Sequence, residues 1–204
     1  MSNSLVAAEH SPPTNPFATR FVRPGVLPFR FNEGSSINDL MDQLMLHRWR
    51  GQIIGPHGSG KSTLLSALTA ELDRQGRTVW TIRDCPALGT IAEIWRDSRE
   101  WNERTQMVVD GFECLPWWQR WLLVLLCKQR RCGLLVTAHH DLGIPWLYQT
   151  STSLPTAQAI VRQLLPEGSD CFTNAEIACC FHRVNGNVRE LLFTLYDLYE
   201  KRNC

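Results

Sequence analysis

The sequence predicts an α/β fold in three layers, with a parallel central sheet, helices on both its faces, and a small helical unit at the C-terminal end. Three observations predict it. Short apolar runs alternate with helical patterns between residues 51 and 137, the order produced by parallel strands joined through crossover helices. A glycine-rich turn, Gly55-Pro56-His57-Gly58-Ser59-Gly60-Lys61-Ser62, separates the first apolar run from the first strong helical pattern. Beyond about residue 157 the patterns are helical only.

The elements follow in order. Residues 1–30 are rich in Ser, Pro, Asn and small residues and are expected to be largely irregular, without regular structure up to about Pro16. Phe17, Phe21, Phe29 and Phe31 then alternate with Arg20, Arg23 and Arg30. A free tail has no use for four phenylalanines, so this segment is expected to lie against the rest of the chain. Ser36-Ile37-Asn38-Asp39 reads as a helix cap, followed by Leu40, Met41, Leu44 and Met45 at helical spacing. Gly51–Ile54 is a predicted strand, Ser62–Leu68 the start of a helix, and Gly76 its stop. Thr78–Ile82 and Thr105–Asp110 are predicted strands, with Ile91, Ile94 and Trp95 suggesting a helix between them. Leu115–Arg130 is an apolar helix started by Pro116. Gly133–Thr137 is a fourth strand, and a short fifth is expected near Ser153-Leu154-Pro155. Helices are predicted over Ala157–Leu165, Thr173–His182 and Asn187–Lys201. The resulting organisation is an irregular segment over 1–30, an α/β domain over 31–156 and a helical unit over 157–204.

Composition limits the function. A length of 204 residues suits one domain with a small appendage, and 44% hydrophobic residues supply a sizeable core. With 21 basic against 20 acidic residues the net charge is +1, so no global basic field points to nucleic acid or an anionic membrane, although a local patch stays open. The eight cysteines form no CxxC pair, which removes a zinc ribbon or thioredoxin-type site. Several sit in apolar stretches and read as small core residues in a reducing compartment. No secretory signal is recognisable, and the longest apolar stretch, Trp121–Cys127, is far too short to span a bilayer. The expectation is a cytoplasmic protein without a membrane segment.

The chemistry is concentrated in the glycine-rich turn. A strand, a glycine turn and a helix start together aim several backbone N–H groups and the positive helix end at one spot, which suits phosphate. Glycines at 55, 58 and 60 let the backbone wrap an anion without Cβ clashes. Gly55, Pro56, His57, Gly58, Ser59, Gly60, Lys61, Ser62 and Thr63 are therefore the expected nucleotide-binding residues. Lys61 would reach the terminal phosphates and Ser62 would offer its hydroxyl to Mg²⁺. Asp110, at the end of an apolar strand, is the second expected magnesium residue. Glu113 is the candidate to orient an attacking water, or else a solvated loop glutamate.

On these motifs the chain resembles the additional-strand class of phosphate-loop NTPases, and within it the AAA+ ATPases. That resemblance implies ATP and Mg²⁺ as ligands. In that family the strand-end acid is usually followed directly by glutamate, whereas Gly111 stands there in this chain. Asp110-Gly111-Phe112-Glu113 is similar to the Asp-Gly-apolar-acid form of NACHT-type STAND NTPases. Thr137 occupies the place of the polar first sensor, or simply caps a turn. Gly186-Asn187-Val188-Arg189-Glu190-Leu191 resembles the helix start that carries the second sensor arginine in AAA+ lids, which would make residues 157–204 a lid. Arg189 would then contact phosphate; the alternative is an exposed helix arginine. Asn187 would cap that helix and Glu190 would answer it.

The arginine finger of ring-forming relatives has no counterpart, because Thr137 to Ala159 contains no Arg or Lys. Arg130 and Arg131 precede the fourth strand and belong at its far end. His139 and His140 either touch phosphate or metal or are polar loop residues. Residues 17–31 either approach the adenine end or pack without ligand contact. Trp117, Trp118 and Trp121 suit core packing or a partner-binding face, and an apolar stripe of this kind is usually core. The resemblance implies a Mg-dependent ATPase that couples nucleotide to lid movement and a protein partner. The rivals are a nucleotide switch with little turnover, a small-molecule kinase and a DNA-associated helper ATPase.

Overall fold

Five strands form one all-parallel sheet: three short runs are largely buried on both faces, and two partly exposed strands close its edges. In a computed structural model, which describes residues 15–31, 34–83 and 94–202, these are β1 (Arg50–Ile54), β2 (Thr78–Ile82), β3 (Thr105–Val109), β4 (Gly133–Ala138) and β5 (Trp146–Gln149). Their order across the sheet is β2-β3-β4-β1-β5. Every pairing is parallel. β4 thus stands between β1, which feeds the glycine-rich turn, and β3, which delivers Asp110.

The period-two alternation of strands sorts side chains between two layers. Met107, Val109, Leu134 and Val136 face the helix α4 (Trp117–Gln129), packing with its Leu123, Leu126 and Cys127. Their neighbours Val108 and Leu135, with Ile53, face α3 (Lys61–Arg74) and α2 (Ile37–Leu46), meeting Leu64, Leu68, Leu72, Leu40 and Leu44. The α/β/α layering is as expected. Helix α2 begins at the anticipated cap: the Asp39 amide donates to Ser36 Oγ and the Ser36 amide donates to the Asp39 carboxylate.

A third apolar cluster joins α5 (Leu154–Leu164), α6 (Asn174–Arg183) and α7 (Val188–Arg202). Its unexpected member is Phe17, 1% exposed, edge-on to Phe172 at 5.8 Å and to Tyr199 at 6.1 Å between ring centroids. Asn15 fastens the same segment, donating to the Tyr196 carbonyl and to Glu200. After the single helical turn α1 (Thr19–Val22), the chain reaches the sheet, where Phe29 and Phe31 pack edge-on against Tyr148. Arg30 also donates to Gln163 on α5. The segment from Phe17 to Phe31 therefore does lie against the rest of the chain, touching both the helices and the sheet.

Two expectations need correction. The fifth strand is Trp146–Gln149, and Ser153-Leu154-Pro155 opens α5 instead. Ser153 Oγ accepts from the Thr156 amide and Pro155 sits in the first turn, where its missing N–H costs nothing. The tryptophans of α4 are not core: Trp117, Trp118 and Trp121 are 74%, 40% and 63% exposed. The suggested helix around Ile91 lies partly outside the described residues; residues 94–97 are helical, with Ile94 buried and Trp95 exposed. Cys127, Cys132 and Cys180 are buried free thiols, as read, but Cys171 is disulfide-bonded. No helix among the described residues is long and apolar enough to cross a membrane.

Phe17→Ala should lower stability by about 3–5 kcal/mol, the usual cost of emptying a buried phenylalanine site. Denaturant unfolding measures it, and a loss under about 1 kcal/mol would show that the segment is not part of the core.

Candidate functional site

The carboxyl ends of β1, β3 and β4 meet at one place. Register pairs Ile54 with Ala138 and Val109 with Val136, so Gly55, Asp110 and Thr137 emerge side by side. This edge is where open α/β sheets bind ligands. A cavity of about 270 Å³ lies there, lined by His57 to Thr63, Asp110, Gly111, Glu113, Thr137, His139 and Arg189.

The loop between β1 and α3 owes its shape to its glycines. Gly58 and Gly60 have φ of +68° and +91°, a left-handed conformation that side chains disfavour. Gly60 caps α3 without any side-chain bond. The first helical bond runs from the Leu64 amide to the Gly60 carbonyl, so the amides of residues 61–63 have no intrahelical acceptor. A Cβ on Gly55 would collide with Thr150 and Ser59. Those two hydroxyls bond one another, and Ser59 Oγ also donates to the Pro56 carbonyl. Gly55 and Pro56 are outside the cavity lining and form the floor of the loop instead.

Lys61 is folded into that floor. Its Nζ donates to the carbonyls of Gly55 at 2.7 Å and Pro56 at 2.9 Å, and lies 3.2 Å from His139 Nδ1. Burial pushes its ammonium below the usual lysine range; Glu113 and Asp110 pull the other way, while Arg189 adds to the push. Two cations and two carboxylates therefore feel each other across this cavity. Ser62 and Asp110 also line a second small recess, together with Arg189.

Asp110 ends β3, and its Oδ1 accepts a 2.6 Å bond from the fully buried Thr137 hydroxyl. The same hydroxyl accepts from the Gly111 amide at 2.8 Å. Gly111 is left-handed, with φ of +80°, which gives a direct reason for glycine at this position. The turn it makes starts a short 3₁₀ segment, Phe112–Cys114, that buries Phe112 and turns Glu113 back to the cavity. Glu113 is far from a solvated loop residue: its side chain is 14% exposed, with Oε1 3.3 Å from His139 Nε2 and Oε2 buried with no protein partner.

Arg189 begins α7 at the other wall. The Glu190 amide donates to Asn187 Oδ1, so Asn187 caps as expected, while the reciprocal bond from the Asn187 amide goes to the Val184 carbonyl instead. The Asn187 side chain lies directly over Gly58, where any Cβ would overlap it. Leu27, Pro28 and Phe29 bring the N-terminal segment into the lining, which the sequence left open as one of two alternatives, while sequence reasoning missed the Asn187 contact and the share of the cavity supplied by Ile160 and Leu192. The alternation of phenylalanine with arginine was the only signal for the first of these. Phe29 covers Gly60. His139 is packed on His57, ring centroids 3.8 Å apart, whereas His140 is exposed and outside the lining.

Among the described residues no group of three or more His, Cys, Asp or Glu side chains could hold a metal by itself. The Ser62 hydroxyl and the Asp110 carboxylate are the hard oxygen donors at hand. Such a pair fits Mg²⁺, which takes few protein ligands and completes its shell with phosphate and water.

No family model and no curated protein matches this chain. Among solved structures it is similar to one of C. elegans PCH-2, at 10% identity and a TM-score of 0.34, over 80% of this chain and 64% of that one. A likeness at that score carries no argument about fold or function.

Replacing Thr137 by valine keeps its shape but strands the Gly111 amide and one bond of Asp110. The expected cost is about 1–3 kcal/mol, read as a drop in the denaturant midpoint without ligand. An unchanged midpoint would mean that the two strand ends are held together by other contacts.

Proposed function

We propose that this chain binds ATP with Mg²⁺ at the carboxyl edge of its sheet and hydrolyses the terminal phosphoanhydride, moving its C-terminal helices as it does so. The observation that carries this reading is the convergence of a glycine loop, an uncapped helix N-terminus, Lys61, Asp110, Glu113 and Arg189 on a single cavity. In this reading residues 31–156 are the nucleotide-binding domain and residues 157–204 a lid.

Each residue has a role that follows from its chemistry. The amides of the loop and of the first turn of α3 take phosphate oxygens, since they have no acceptor of their own in the helix. Lys61 exchanges the Pro56 carbonyl for the more strongly charged terminal phosphates. Ser62 and Asp110 hold the metal, which when bound neutralises phosphate charge. Glu113 accepts a hydrogen bond from the attacking water and turns its lone pair toward phosphorus. Thr137 keeps Asp110 in place. Arg189 pairs with the terminal phosphate from α7, so that arrival or loss of that charge pulls or frees the helical unit. Leu27, Pro28, Ile160 and Leu192 offer apolar surface suited to a purine base.

A nucleotide switch with slow turnover is the second reading. It is favoured by the route of the Glu113 carboxylate through the Gly111 turn rather than from the residue after the strand.

Phosphate release and fluorescent-nucleotide binding separate the two. Lys61→Ala should weaken triphosphate binding about tenfold or more, as expected for losing charged hydrogen bonds. Glu113→Gln should keep binding and lose about 100-fold in turnover. Binding without measurable wild-type turnover would select the switch, and no affinity for any purine triphosphate would remove both readings.

A further inference from the structure

His139 follows directly on β4 and has partners on three sides. Its Nε2 lies 3.3 Å from Glu113 Oε1, its Nδ1 lies 3.2 Å from Lys61 Nζ and 3.0 Å from the Gly55 carbonyl, and its face rests on His57. Burial, then the charges of Lys61 and His57, hold its pKa below the usual imidazole value, with Glu113 and the Gly55 carbonyl pulling weakly the other way. The ring is therefore neutral near pH 7 and carries one hydrogen. The partners decide which nitrogen has it. A carboxylate only accepts, and the Lys61 ammonium can serve both Nδ1 and the Gly55 carbonyl, so we assign the hydrogen to Nε2, which faces Glu113 Oε1 across the 3.3 Å contact. Nδ1 is left as an acceptor for the Lys61 ammonium. That ammonium also donates to the Gly55 carbonyl at 2.7 Å and so bridges two acceptors that would otherwise repel.

The result is a directional chain from Lys61 through His139 to Glu113. One carboxylate oxygen faces the imidazole at 3.3 Å, and the other, buried and without a partner among the described residues, is the one left for water. We propose that His139 is the positioning residue for Glu113: it fixes the orientation of the carboxylate and links it to the loop lysine. This inference rests on the ATPase reading above. It resembles the way an imidazole elsewhere is oriented by a buried acid, with the roles of ring and carboxylate exchanged. It also accounts for a carboxylate that arrives on a short 3₁₀ turn, where backbone alone would orient it poorly.

The experiment is steady-state phosphate release with ATP and Mg²⁺, together with fluorescent-ATP binding, on wild type, His139→Ala, His139→Gln, Glu113→Gln and the His139→Ala/Glu113→Gln double variant. His139→Ala should lower kcat about tenfold while KM and nucleotide affinity change less than about threefold. His139→Gln, whose amide can still donate to Glu113, should recover most of that loss. The double variant should be no slower than Glu113→Gln alone, because one residue acts through the other. Wild-type kcat in His139→Ala, a loss in KM alone, or fully additive effects would overturn this inference and leave the ATPase reading standing. Wild-type protein that binds no nucleoside triphosphate would overturn the ATPase reading and this inference with it.

Discussion

The Thr137 hydroxyl is the constraint on which the rest of the site depends. It donates to Asp110 and accepts from Gly111, so one oxygen joins the ends of two adjacent strands. Fully buried, it works where hydrogen bonds gain strength from the absence of competing water. The bond to the Gly111 amide steadies a left-handed turn that only glycine adopts cheaply. That turn in turn decides where Phe112 enters the core and where Glu113 points. Removing the hydroxyl would disturb Asp110, the proposed metal residue, and the Glu113 carboxylate together, although it touches neither phosphate nor water in the proposed reaction.

The fold was largely legible, for a physical reason. The central strands β3 and β4 are buried on both faces and so are short and largely apolar, β2 is rich in β-branched and aromatic residues, and all three read as strands to within a residue. β5 escaped because Trp146 and Gln149 at its ends are exposed and only Leu147 and Tyr148 carry an apolar signal. Ser153 and Pro155 were read as extended chain, yet Ser followed by Pro in the next turn is also how a helix opens, and the cap bond decides for the helix. Local chemistry was present in the sequence; what it competed against was not.

The site divides in the same way. Residues of the glycine loop, Asp110 and Glu113 were readable because each belongs to a short motif whose spacing reflects a mechanism. Arg189 was readable as a helix start. Contacts between distant segments left no such trace: nothing local says that Asn187 rests on Gly58, that His139 lies against Glu113, or that Thr150 shares a hydroxyl contact with Ser59. Lys61 is the instructive case. Its position in the motif predicted the phosphates, while the structure has it on the carbonyls of its own loop, a resting arrangement that a motif cannot encode.

The segment from Asn15 to Phe31 carries a mechanical consequence. One end is sewn into the C-terminal helices through Phe17, the other is pressed against Tyr148 and Gly60 through Phe29 and Phe31, and Arg30 adds a stitch back to α5. A tether fastened at both ends sets the stroke of whatever it joins. In the proposed lid movement the helices could not swing outward without pulling on the ring that covers the loop, so the glycine backbone at one wall would feel a displacement at the other.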